Sequence, residues 1–65
     1  MNLTINGEIK TINAGTIADV LHSLGYKGNY FAVALNMTHI PSSKYDTTNV
    51  TSGDAIEILM PMQGG

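Results

Sequence analysis

The chain has 65 residues, 43% of them hydrophobic, a formal net charge of −2 and no cysteine. A chain this short forms one small domain that buries about 60% of the surface its unfolded form exposes, so its core is nearly all that holds it together. The missing thiols exclude disulfides and thiolate metal sites and fit a reducing, cytoplasmic compartment; three scattered lysines (Lys10, Lys27, Lys44) and no arginine exclude a clustered basic face of the kind that nucleic acid requires.

From Met1 to Asn6 polar and apolar residues alternate, with no basic stretch before a long apolar run, which argues against a signal peptide and against a membrane span. The sequons at Asn2, Asn36 and Asn49 are what a chain rich in Asn and Thr produces by composition. Asn6-Gly7 lies between Leu3-Thr4-Ile5 and a run reaching Ile12, which predicts a hairpin whose turn residues both take positive φ. A two-residue turn pairs Ile5 with Glu8 and Leu3 with Lys10, setting Leu3, Ile5 and Ile12 on one face and Thr4, Ile9 and Thr11 on the other. A glycine bulge would instead bring Ile9 inward and turn Ile12 outward.

Thr16 is placed to cap a helix, its hydroxyl accepting from the Asp19 amide while the Asp19 carboxylate lies near the positive end of the helix dipole. Ile17, Val20, Leu21 and Leu24 follow at i, i+3, i+4 and i+7, one apolar stripe over about two turns, and Gly25 ends the helix in the left-handed position. So short a helix is not stable alone and must pack on a sheet.

Phe31 to Leu35 reads as a strand with its large side chains on one face and Ala32 and Ala34 on the other, followed by a turn through Asn36, Met37 and Thr38 and a short antiparallel return at His39-Ile40. Pro41 to Tyr45 reads as a single helical turn, Asp46 to Thr51 as a polar surface crossing and Ser52-Gly53-Asp54 as a turn. Ala55 to Met60 is the last strand, with Ile56 and Ile58 inward and Glu57 outward. The element order gives an α+β domain over residues 1–60, a mixed sheet of four to five strands with one helix across one face, and a flexible tail over 61–65. If the last strand lies parallel to the first, the tail leaves from the middle of a rigid sheet.

No catalytic constellation is visible. His22 falls on the polar side of the helix and His39 in a turn region, neither spaced to meet a carboxylate pair or to bind a metal. Phosphate-cradling glycine loops are absent. Ala32, Ala34 and Leu59, with Ile9 and Met62 near them, would lie opposite the helix, either as ordinary scattered apolar surface or as a docking face for an activating enzyme. The sequence closes on Pro61-Met62-Gln63-Gly64-Gly65. Without Cβ atoms a Gly-Gly tip lies extended in a narrow slot and leaves its last carbonyl carbon uncrowded, so the tail reads either as a frayed end or as a substrate for another enzyme.

Several segments, in this order, resemble the thiamine-biosynthesis sulfur carrier proteins over the whole length: Asn6-Gly7-Glu8, Gly15 through Leu21, Ala32 through Asn36, Ile40-Pro41, Gly53 through Leu59, and the closing Pro61 through Gly65. Ser42 departs from the pattern, since many relatives carry a basic residue there. The resemblance implies a ubiquitin-like β-grasp fold. It implies that the Gly65 carboxylate is adenylated by an adenylyltransferase-type activating enzyme using ATP and converted to a thiocarboxylate with cysteine-derived sulfur supplied through a desulfurase. Delivery to thiazole synthase then builds the thiazole ring of thiamine. Gly64 and Gly65 would bear the chemistry while Pro61, Met62 and Gln63 set its reach, and the carrier itself would be neither an enzyme nor the holder of a cofactor. Molybdopterin synthase's small subunit and sulfur carriers for tRNA thiolation share the fold and tail, but the short length and the Pro-Met-Gln-Gly-Gly ending favour the thiamine carrier. An interaction module whose activities survive loss of Gly65 is the reading from another class.

Overall fold

The computed structural model describes residues 1–27 and 31–60. Asn6 and Gly7 take φ of 50° and 85°, the mirror-image turn that matches the right-handed twist of its flanking strands. It joins β1 (Asn2–Ile5) to β2 (Glu8–Thr11) in the two-residue register, Ile5 opposite Glu8 and Leu3 opposite Lys10. There is no bulge, so Leu3, Ile5 and Ile12 are buried while Ile9 stays 76% exposed on the other face.

The helix α1 (Ile17–Leu24) begins at Thr16, whose hydroxyl accepts from the Asp19 N–H, and Asp19 reaches back to the Thr16 N–H to complete a capping box. The first amides of a helix have no partner within it. Here the Ile17 N–H donates to the Thr48 carbonyl and the Ala18 N–H to the Tyr45 carbonyl, both at 2.9 Å. The stretch from Asp46 to Thr51, expected as a surface crossing, is thus laced across the helix N-terminus together with the end of the preceding turn; Tyr45 from that turn and Val50 from the crossing are both in the core. At the other end Gly25, at φ 86°, returns its N–H to the last turn.

Beyond the helix come β3 (Ala32–Leu35), β4 (Thr38–Ile40), a single 3₁₀ turn at Ser42–Lys44 and β5 (Ala55–Leu59). Two boundaries move inward from the sequence expectation. Phe31 precedes β3 and packs its ring edge-on to Tyr26 (centroids 5.3 Å apart) and parallel to Tyr45 (6.1 Å), and β5 stops at Leu59. The sheet order is β2-β1-β5-β3-β4, with β5 parallel to β1 and antiparallel to β3. This is the ubiquitin-like β-grasp arrangement, among the described residues five strands of mixed direction with one α-helix on one face.

Leu3, Ile17, Val20, Val33 and Ile56 are all less than 2% exposed. They join the helix stripe to the inward positions of the three middle strands. Each such burial stabilises the fold by about 1.5–3 kcal/mol, and their alternation along β5 makes the central strand bury Ile56 and Ile58 while Glu57 faces out.

Candidate functional site

The site is built around the outgoing end of β5. As the middle strand it is paired on both sides, with Ile56 beside Ile5 on β1 and beside Leu35 on β3. Two asparagine side chains extend that pairing at its ends. Asn6 accepts from the Ile58 N–H at 2.7 Å and donates to the Ile58 carbonyl at 3.1 Å. Asn36 accepts from the Ala55 N–H at 2.9 Å and donates to the Asp54 carboxylate at 3.1 Å. Both asparagines occupy left-handed turn positions, a conformation that Asn tolerates better than most residues. The Asp54 carboxyl is held below the usual carboxylate range by the Thr51 N–H first and by Asn36 second, so the strand enters the sheet from a charged, hydrogen-bonded turn.

On the face away from the helix, the register sets Leu59 opposite Ala32 and Glu57 opposite Ala34, which in turn faces His39. Leu59 is 64% exposed and Ala32 is also exposed, whereas Ala34 is half-buried. The structure therefore brings Leu59 and Ala32 together as an apolar pair at the exit end, with Ala34 one step back beside an acidic residue. Ile9 lies on the same face but two strands from β5, across Thr4. On the helix side of the exit, Leu24, Gly25, Tyr26, Lys27, Phe31 and Met60 line an open cleft of about 360 Å³. Pro61, Met62, Gln63, Gly64 and Gly65, the residues expected to carry and present the reactive group, lie outside the described residues.

Among the described residues no group of three or more His, Asp or Glu side chains could hold a metal ion, and no helix is long and apolar enough to cross a membrane. His22 and His39 are both exposed. The geometry offers the end of a central strand with the exposed pair Leu59 and Ala32 on one side and the cleft on the other.

A model of the ThiS family matches residues 3–65. The chain belongs to the ThiS family. Its fold is similar to the crystal structure of the thiamine biosynthesis protein ThiS from Geobacter metallireducens, at a TM-score of 0.84 and 35% identity with all of both chains covered. It is likewise similar to the solution structure of a thiamine biosynthesis protein from the same organism, at 0.82 and 35% identity over all of this chain and 88% of that one. A protein of Paramagnetospirillum magneticum named thiazole synthase is 36% identical over 66 residues; the whole of this chain spans only 20% of that protein's length.

Within this ThiS chain, sequence reasoning missed the two asparagine clamps. Asn6 and Asn36 were legible as turn residues, but a turn signal says only what the backbone does. The usable sign was that both asparagines begin tight turns beside a strand that ends up central, where a side-chain amide can stand in for one more peptide group.

Proposed function

We propose that this chain is a sulfur carrier of thiamine biosynthesis, working in the cytoplasm as a protein reagent for partner enzymes. The observation that carries the reading is that the ThiS family match runs through Gly64 and Gly65, which follow closely in sequence on a strand anchored on both sides.

A carboxylate at neutral pH is a poor electrophile. In the proposed cycle one oxygen of the Gly65 carboxylate attacks the α-phosphorus of ATP on an activating enzyme and pyrophosphate leaves. The resulting acyl adenylate carries a good leaving group. Cysteine-derived sulfur at the sulfide level, HS⁻ set free from its carrier by a thiol reductant, then attacks the carbonyl carbon, AMP departs, a proton is lost, and the product is a thiocarboxylate, a strong nucleophile tied to a recognisable protein. Gly64 and Gly65 enter the partner's slot because neither presents a side chain, Pro61, Met62 and Gln63 set the reach, and Leu59, Ala32 and Ala34 form the docking face. Thiazole synthase is the proposed acceptor, supported by the similarity of this whole chain to one segment of a protein of that name.

Intact-mass measurement of the chain incubated with an adenylating enzyme, ATP and a sulfur donor tests this reading. The expected product is heavier by the replacement of one oxygen with sulfur, and deletion of Gly65 abolishes the change. No mass change with an enzyme that activates another ThiS protein would overturn the carrier role; a thiocarboxylate that thiazole synthase does not consume would overturn the acceptor.

A further inference from the structure

We infer that β2 is a self-complementary edge through which two copies of this chain pair antiparallel about a two-fold axis centred on Ile9. In an antiparallel ladder, residues alternate between those that turn their N–H and C=O toward the neighbouring strand and those that turn them away. Ile12 and Met1 exchange both backbone bonds, at 2.9 and 3.2 Å. Counting back by twos, Lys10 and Glu8 also face β1, which leaves the backbone groups of Ile9 and Thr11 directed at the open side of the sheet. Among the described residues β2 is the terminal strand on that side, all four of its residues are exposed, and it carries neither proline nor bulge; its two charges, Glu8 and Lys10, are of opposite sign, so they guard the edge against a random strand but not against a second copy in the right register. The opposite edge, β4, has three residues and is followed by Pro41.

The side chains select the register. Glu8 and Lys10 share the helix-side face, with Lys10 Nζ 3.8 Å from Glu8 Oε1. An axis through Ile9 makes Ile9 and its copy a hydrogen-bonded pair, their exposed side chains meeting on the outer face. It also sets each Glu8 opposite the copy's Lys10 in a position where side chains approach most closely, giving two opposite-charge pairs. Moving the axis to Lys10 would put Lys10 against its own copy, a like-charge contact. The charge order Glu-Ile-Lys thus fits only one two-fold arrangement well. In that arrangement the two copies of β5 run in opposite directions, so both exit ends stay open at opposite ends of one continuous sheet, and the surface of Leu59 and Ala32 is left uncovered. Strands of four residues bury little area, so the pairing is weak and shows only in concentrated solution.

Sedimentation equilibrium of the full chain up to about millimolar concentration tests it. The wild type is expected to show a reversible dimer. Glu8→Lys and Lys10→Glu each turn two favourable pairs into like-charge pairs and are expected to weaken association about tenfold or more. An equimolar mixture of the two variants restores it, because the mixed dimer sets the two lysines of one copy against the two glutamates of the other. Ile9→Pro removes an outward donor without touching a rung of the β1–β2 ladder and is expected to abolish the dimer while the amide spectrum stays native-like. A monomeric wild type, a dimer indifferent to both charge reversals, or a mixture that associates no better than its components would overturn the proposal.

Discussion

The side chain of Asn6 holds the backbone of Ile58 at both of its polar groups, 2.7 Å from the N–H and 3.1 Å from the carbonyl. One side chain thereby acts as a further rung between β1 and β5 after the backbone of β1 has turned away. The bonds are partly buried and join residues 52 apart in sequence.

Replacing Asn6 with Gly keeps the left-handed turn but deletes both bonds. The expected cost is about 1–2 kcal/mol, read as a lower urea midpoint with an unchanged slope. Asn6→Ala should cost about 1 kcal/mol more, because alanine must also be forced into the left-handed region. Equal stability for the Gly variant and the wild type would show that the two bonds contribute nothing net.

Met37 gives the opposite sign. It sits at φ 71° in the β3–β4 turn and is 93% exposed, so its side chain packs against nothing while its backbone is strained. Met37→Gly is expected to raise stability by about 0.5–1 kcal/mol, the relief of strain being partly offset by the greater freedom of glycine in the unfolded chain. Thermal unfolding of the two proteins checks it.

Acid should weaken the fold through two carboxylates. Asp19 is held below the ordinary carboxylate range by the Gly15 N–H, then by the Thr16 N–H, and Asp54 by the Thr51 N–H, then by Asn36. A folded-state pKa below the unfolded one contributes stability that is complete above the unfolded value and is lost as pH falls through the folded one. Urea midpoints should therefore fall as pH drops below the ordinary carboxylate value of about 3.9, and the Asp19→Asn, Asp54→Asn double variant should fall less steeply over that range. An equally steep fall in the double variant would place the acid sensitivity elsewhere.

At the exit face, Leu59→Glu replaces a side chain that is 64% exposed. Stability should change by no more than about 0.5 kcal/mol, whereas the adenylation proposed above, assayed with an enzyme that activates another ThiS protein, should be lost. Unimpaired adenylation with a folded variant would remove Leu59 from the proposed docking face.

Patterns that depend on neighbours in sequence were legible. The Asn6-Gly7 hairpin with its register, the Thr16 cap, the stripe from Ile17 to Leu24 and the alternation of Ile56, Glu57 and Ile58 each rest on residues within one turn or one strand of each other, and each appears as read. Burial of Tyr45 and Val50 was not legible, because the stretch around them is polar and irregular. What buries them is the pairing of that stretch with the distant helix N-terminus, through the carbonyls of Tyr45 and Thr48. The exit site divides the same way. Leu59 and Ala32 follow from strand alternation, while the asparagine clamps come from a topology that brings both turns beside β5.

The parallel pairing of β5 with β1 joins residues 55–56 to residues 4–5, and β5 also separates the two hairpins. Without β5 the two hairpins are half-sheets with a gap between them, and neither half has a complete apolar layer under the helix until that strand is in place. Closure over so long a loop is slow relative to local hairpin formation. Formation of the sheet and placement of the end of β5 are therefore one event, and a chain that has not seated this strand has no finished core.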